Sequence, residues 1–440
     1  MNEIGTTAQE ALEFVRAIPP AQGETMRGVP LEPRDLVRVG FIGVGGRGSG
    51  QLGEMLAVEG AQVTAVSDVV EAHALRAKER VEQAGQPTPA VEPQWERLCE
   101  RDDVDLVCVC SPWDWHVPHA VCAMECSKHA AVEVPAATTL TDCWRLVDTS
   151  ERMRKHCLIL ENCCYEYAKM LVLNMIRAGL LGTITHGEAA YIHDLRSLLL
   201  ADGGEGLWRR EPHKLRNGNL YPTHGLGPVA RYMDIHTGDR FTQLVSMSSA
   251  SVSLGQYRDA TLPADSPKRK ETYSCGDMNL SLMQTALGRT IMLQHDVATP
   301  RPDSRINLIQ GTKGTFCDYP PRLFIDGQTG HDWQPLDAFK AEYEHPIWKE
   351  QGELARKLGG HGGMDFIMNY RLIQLYRQGQ PPDMDAYDAA AWSAPVPLSD
   401  ISVAWGNLPL PFPDFTRDHW QEPLAAAAGG RAATALRCSP

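Results

Sequence analysis

Two textures of hydrophobic patterning divide the chain. From Leu36 to about residue 165, short apolar runs (LVRVGFIG, AQVTAVSD, VDLVCVC, HAAVEVP, CLILE) alternate with stretches of helical spacing. Such runs between helices predict βαβ units and a parallel sheet covered on both faces. Within this region the Ala-, Glu- and Arg-rich segment after AQVTAVSD reads as one helix up to Gln94. Beyond about residue 182 the pattern turns to alternation: TITHGEAAYIHDL, FTQLVSMSSASVSL, MNLSLMQTALGRTIMLQHDV and TFCDYPPRLFIDG. Period-two segments predict a mostly antiparallel sheet with one open face, and ALGRT reads as a hairpin turn. A late helix over residues 361–378 carries apolar residues at helical spacing and is expected to pack back on the body.

The expected fold class is therefore α/β, an N-terminal Rossmann-type dinucleotide-binding domain followed by a C-terminal α+β domain with an open, mostly antiparallel sheet. The expected divisions are an N-terminal arm at 1–35, a dinucleotide domain at 36–165, a substrate domain at 166–420 and a flexible, low-complexity tail at 421–440. The arm reads as an amphipathic helix and a Pro/Gly lead-in, packed on the body or a partner, or else loose.

Composition narrows the function. A chain of 440 residues that is 43% hydrophobic and 22% charged is globular and long enough for two domains. A formal net charge of −13 argues against a nucleic-acid binder. The twelve cysteines sit mostly in apolar or helical runs without zinc-finger spacing, the pattern of buried thiols in a reducing compartment. With no secretory leader and no apolar run of about 18 residues, the expected location is the cytoplasm. An open antiparallel sheet leads one to expect a homo-oligomer, a dimer or tetramer.

The chemistry begins at Gly43-Val44-Gly45-Gly46-Arg47-Gly48, a G-x-G-x-x-G that follows an apolar strand and opens a helix. Asp68 ends the next strand about 20 residues on, the spacing that places a carboxylate on the adenine ribose and favours NAD over its 2′-phosphate. Arg47 is placed to touch a phosphate. Ligands bind at the carboxyl ends of parallel strands, so residues 111–116 and 133–135 should face the cofactor as well; Trp113 and Trp115 read equally as packing.

The dinucleotide domain followed by an antiparallel sheet resembles the glucose–fructose oxidoreductase and inositol dehydrogenase superfamily. There a Glu-Lys-Pro triplet supplies a lysine for oxidation of a sugar hydroxyl; this chain has Glu133-Val134-Pro135. A longer resemblance, through EVPAATTLTDCWRLVDTSE, ENCCY, YIHDLR, LWRR, LRNGNLYPTHGLGPVARYM, QGTKG, HPIWK, GHGGMDF and FPDFTR, is to the NAD-dependent glycoside hydrolases of family 109, known for α-N-acetylgalactosaminidase activity.

That resemblance implies cofactor contacts at Gly43, Gly45, Arg47, Gly48, Asp68, Trp113, His116, Glu133, Val134, Asn162 and Tyr221. It implies sugar contacts at Glu161, Arg209 and Tyr221, and catalytic groups at Tyr191 and His224. It also implies a tightly held NAD, regenerated each cycle. The sugar is oxidised at C3, deprotonated at C2, loses its leaving group by elimination, takes up water and is reduced again. His224 is assigned to the C3 hydroxyl proton and Tyr191 to the C2 proton, roles that could be exchanged. Where the family has a sugar-contacting tyrosine, this chain has Asp303, which adds a carboxylate in or near the pocket. A net sugar or polyol dehydrogenase is the alternative.

Simpler roles compete at several of these positions. Tyr191 fits a half-buried strand, and His193 shares its face. His224 stands at a helix start, where polar residues cap. His361 lies in a glycine-rich turn whose backbone accounts for the motif. No metal is expected, because His193, His224, His236 and His295 lack helical i, i+4 pairing and Asp194 adds little.

Overall fold

In the computed structural model, which describes residues 3–422, the apolar runs become the strands of two sheets. The first sheet consists of β1 (Val37–Ile42), β2 (Ala61–Ser67), β3 (Ala90–Val91), β4 (Leu106–Val109), β5 (His129–Val132) and β6 (Cys157–Ile159). These strands are all parallel and ordered β3-β2-β1-β4-β5-β6. Val37, Val39 and Phe41 of β1 are completely buried, as both-face coverage by helices requires. Each such side chain contributes about 1.5–3 kcal/mol by leaving water.

One helix expectation is corrected. The segment after β2 is helical only over Glu71–Gln83; a two-residue strand and a second helix, Trp95–Glu100, follow. Pro87, Pro89 and Pro93 lie between them, and proline cannot continue a helix because it lacks the N–H and clashes with the preceding turn.

The second sheet contains β7 (Ile184–Ile192), β8 (Phe241–Ser248), β9 (Asn279–Thr285), β10 (Thr290–Asp296), β11 (Leu308–Gly311), β12 (Gly314–Cys317), β13 (Arg322–Ile325), β14 (Gln334–Pro335) and β15 (Leu410–Pro411). Its order is β14-β13-β12-β11-β7-β10-β9-β8-β15. All pairings are antiparallel except β7 with β10, which sets Tyr191 beside His295. The segment ALGRT joins β9 to β10 as expected, whereas SVSL leaves the alternating pattern and opens the helix Ser253–Thr261.

The N-terminal segment packs on the body. Helix Ala8–Arg16 buries Ala11 and Val15, and Glu3 accepts the amides of Leu140 and Thr141 at 2.9 Å. The late helix spans Met364–Gln378, with residues 361–363 in the turn before it. It crosses back to the first domain, where Asn369 donates to Gln51 on the helix Gly46–Leu56 at 2.7 Å. All but two residues of the expected tail lie outside the described residues. The eleven cysteines among the described residues form no disulfide, and burial raises most of their thiols.

Candidate functional site

The glycine turn is closed by its own backbone. Gly43 has φ +82°, and a Cβ on Gly48 would lie 1.8 Å from the Gly43 carbonyl oxygen, so neither position admits a side chain. Helix Gly46–Leu56 starts at Gly45 with no side-chain cap, leaving its first amides for a ligand, and the space beside Gly46 is open. Asp68, at the end of β2, accepts the Val44 amide at 2.8 Å and lies 3.3 Å from His73. These features fit a pyrophosphate on the helix terminus with a ribose beside Asp68.

Arg47 does not point free into this cradle. Its Nε donates to Glu133 at 2.7 Å, and its two terminal nitrogens donate to Asp365 at 2.8 and 3.1 Å. Asp365 also accepts from Asn162 at 2.6 Å and pairs with His361 Nδ1 at 2.8 Å. Burial would raise the Asp365 carboxyl, but the His361 bond and the Arg47 charge hold it well below its ordinary range. Arg47, Glu133 and Asn162 are thus drawn into one buried polar cluster with the late helix. Asn162 Oδ1 remains buried without a hydrogen-bond partner, an acceptor open to a ligand. His361 and its four neighbouring glycines at 359, 360, 362 and 363 all have positive φ. The backbone accounts for the glycines, and the imidazole has a partner of its own.

His116 is buried, its ring nitrogens 2.8 Å from the Pro135 carbonyl and 2.7 Å from that of Ser111. It ties together the loops after β4 and β5, the two strand ends expected at the cofactor. Val134 is buried beside Glu133, where the superfamily lysine would stand.

The catalytic candidates converge at the end of β7. Tyr191 there packs 4.5 Å from the Tyr221 ring and 5.7 Å from His224. Arg209 donates to the Tyr191 hydroxyl at 3.4 Å, and its guanidinium lies 5.3, 5.8 and 5.0 Å from the rings of Trp113, Tyr191 and Tyr221. Burial opposes the charge on Arg209, but Tyr191, Tyr221 and Glu205 outweigh it and keep the residue cationic. Trp113 is therefore one wall of this cage. Behind Tyr191, His295 and His213 are stacked and fully buried; burial drives His295 far down and His213 down to about 3, so both stay neutral.

Glu161 is placed differently from the expected sugar contact. It is completely buried at the end of β6, with Oε1 2.8 Å and Oε2 3.0 Å from His224 Nδ1, and Oε1 also accepts the Cys163 amide at 3.0 Å. Burial alone would raise its carboxyl, yet His224 and the Cys163 amide hold it below its ordinary value. Glu161 acts on His224; it has no surface to offer a sugar. His224 Nε2 is left facing Tyr221 Oη at 3.4 Å. Of the histidines weighed for a metal, His193, His224 and His295 stand around Tyr191, with ring centroids 6.3, 5.7 and 6.4 Å from its ring, and His236 lies beside Asp388. The one group with metal-ligand proximity among the described residues is Glu161, Cys163 and His224.

Asp303 reaches the rim of the cage. Ser304 pairs with Ile192, so Arg305 lies beside Tyr191 and Asp303 beside His193 on the same face. Arg305 donates to Asp303 at 2.8 Å and stands 6.0 Å from the Tyr191 ring. The new carboxylate is thus matched by a guanidinium. The sequence reading missed Arg305 and Asp365. Alternation along residues 303–305 signals the first; the second carries no local signal.

Residues 165–422 match the C-terminal domain of glycosyl hydrolase 109, and residues 37–160 match the oxidoreductase family with an NAD-binding Rossmann fold. A glycosyl hydrolase family 109 protein of Solibacter usitatus is 56% identical over 404 residues, covering 90% of this chain and 92% of the relative. Another, of Streptomyces filamentosus, is 49% identical, covering 94% and 84%. Among solved structures, an oxidoreductase domain protein from Kribbella flavida superposes with a TM-score of 0.67 at 16% identity, over 86% of this chain and all of that one. Levoglucosan dehydrogenase in complex with NADH and levoglucosan does so at 0.66 and 18%, over 86% and 99%. These two share the fold. With its NAD-binding Rossmann domain, its open-sheet partner and relatives at this identity over most of their length, the chain is an enzyme that belongs to glycosyl hydrolase family 109.

Proposed function

We propose that this enzyme hydrolyses the glycosidic bond of an α-N-acetylgalactosaminide-like sugar through transient oxidation at C3, with a tightly held NAD that is restored each turnover. The observation that carries the reading is the presence of two separate proton-handling groups within one cage. One is His224, oriented by Glu161; the other is Tyr191, bonded to Arg209. Simple alcohol oxidation needs one base, whereas oxidation at C3 followed by proton loss at C2 needs two.

When bound, NAD supplies hydride acceptance from C3 and its later return. His224, with Nδ1–H donated to Glu161, offers Nε2 to the C3 hydroxyl proton. Arg209 holds the Tyr191 phenolate, which takes the C2 proton that the adjacent ketone acidifies and becomes the neutral phenol. Trp113 and Tyr221 close the cage and exclude water from these transfers. His224 and Tyr191 return the protons in reverse order once water has added at C1.

The test is release of nitrophenol from a nitrophenyl glycoside by purified enzyme without added NAD, run in deuterated water. The product must carry deuterium at C2. Release without exchange overturns the mechanism. Stoichiometric accumulation of NADH with a free sugar decides for a net sugar or polyol dehydrogenase, a reading that the Asp303–Arg305 pair at the rim favours.

We further propose a dimer or tetramer built on the open sheet face. In β9 the inward side is polar (Asn279, Ser281), while the outward Leu280 and Leu282 are 42% and 56% exposed. They pair across the sheet with Met247 and Val245, and Leu282 also with Met292, an apolar stripe that a second copy would cover. Light scattering should show an oligomer that L282D dissociates.

A further inference from the structure

We propose that Glu161, Cys163 and His224 form a site for a thiophilic divalent cation such as Zn²⁺, and that occupancy switches the catalytic pair off. A Glu161 carboxylate oxygen, Cys163 Sγ and a His224 ring nitrogen all lie within 4.8 Å of one another. Tetrahedral zinc holds O, N and S donors roughly 3.3–3.6 Å apart, so modest side-chain shifts close the three around an ion. Two of the donors come from one tight turn. The Cys163 amide on Glu161 folds residues 161–163 back on themselves, and the short helix Asn162–Tyr165 holds that shape. The third arrives on the helix Thr223–Tyr232. The fourth position falls to water, the arrangement of zinc sites that keep one ligand open.

The consequence for catalysis follows from the tautomer. In the metal-free pair, Nδ1 carries the proton and faces Glu161, leaving Nε2 as a base. A cation on Nδ1 forces the ring proton to Nε2, which can then only donate. Cys163 loses its thiol proton to solvent, the His224 proton moves between ring nitrogens, and no electrons are transferred. The charges of the Glu161 carboxylate and the Cys163 thiolate balance the ion. Mg²⁺ and Ca²⁺ seek oxygen ligands and do not displace a thiol proton. Burial raises the Cys163 thiol well above its ordinary value, Arg305 and Lys169 offset this only in part, and both cations oppose the incoming charge, so the ion itself must displace the thiol proton. The site rests on the geometry alone; only its effect on turnover rests on the proposed hydrolysis.

The experiment titrates the full-length enzyme with Co²⁺, the spectroscopic substitute for Zn²⁺. The expected result is a near-ultraviolet thiolate-to-cobalt band that saturates at a single site, is displaced by Zn²⁺ and is lost in C163S and C163A. Those two variants also show the background from the remaining thiols. Zn²⁺ should suppress nitrophenyl glycoside turnover of the wild type reversibly with EDTA, while Mg²⁺ does nothing. The turnover that C163S shows should be less sensitive to Zn²⁺ than that of the wild type by at least about tenfold. A wild type without the band, or a band and inhibition unchanged in both cysteine variants, overturns the proposal. Because the cobalt band needs no turnover, it still decides the matter if the hydrolysis reading fails. If neither variant folds, the decision falls to thermal unfolding of the wild type, whose midpoint Zn²⁺ must raise and Mg²⁺ must not.

Discussion

Both carboxylate oxygens of Glu161 face one nitrogen of His224, Nδ1, at 2.8 and 3.0 Å. A buried carboxylate in that position selects the Nδ1–H tautomer and leaves Nε2 as an acceptor. The isosteric E161Q keeps the volume but can donate to Nδ1 and so favours the opposite tautomer. We expect kcat to fall by about 10²–10⁴, with KM nearly unchanged and NAD still bound by fluorescence titration. Wild-type kcat in E161Q would remove Glu161 from the mechanism.

Tyr191 and Arg209 are expected to act after the oxidation. Y191F removes the acceptor for the C2 proton and leaves His224 intact. A single turnover should therefore build up reduced cofactor absorbance and stall, with exchange at C2 abolished. If Y191F exchanges C2 normally but fails to reduce the cofactor, the roles of Tyr191 and His224 are the reverse.

The cluster at Asp365 joins the late helix to the cofactor domain. D365N leaves the Arg47 guanidinium with only Glu133 as an anionic partner and turns one of the two oxygens shared by Arg47, Asn162 and His361 into a donor. Breaking a buried pair by removing one charge costs about 3–5 kcal/mol. Urea unfolding should register a loss of that order, and NAD affinity should fall with it. A stability change below about 1 kcal/mol would mean that the cluster is solvated like a surface pair.

Gly48 offers a sharper test of the turn. In G48A the new methyl meets the Gly43 carbonyl, a contact that only backbone movement relieves. The turn and the helix terminus then lose register, so NAD binding should vanish on calorimetry while far-ultraviolet dichroism stays near that of the wild type. The control G46A, beside open space, should retain a correctly formed turn.

Acid should destabilise the fold before the carboxylates titrate. Burial drives His119, His156 and His345 down to about 4 and His213 to about 3. The unfolded chain binds protons at these groups from about pH 6.5 downward, while the native chain does not. Stability therefore rises with pH between about 4 and 6.5, by up to about 1.4 kcal/mol per pH unit for each histidine. The thermal midpoint should fall steadily as pH drops through that window, and H213Q should flatten the slope.

Much of the site was legible because its signals are local. Gly43 to Gly48 must turn sharply between strand and helix, and Asp68 follows at the spacing set by one βα unit. Tyr191, Arg209, Tyr221 and His224 came from motif resemblance, and the fold brings all four together. Glu161 was legible as a site residue but not in its role, because whether a carboxylate meets a ligand or a neighbour depends on burial.

By itself, the sequence determined the alternation of apolar runs and helices, the glycine turn, the open alternating sheet and the family. Each of these depends on residues close in the chain, where period and turn chemistry act directly. Only the tertiary structure decided that Arg47 is held between Glu133 and Asp365, that Glu161 lies behind His224, and that Arg305 neutralises Asp303 beside Tyr191. These pairs join residues up to 318 positions apart. For Arg47 with Asp365 and Glu161 with His224 the energies come from charges brought together away from water, and no local pattern encodes that proximity; Asp303 and Arg305 are neighbours in the chain, and the fold decides only that they stand beside Tyr191.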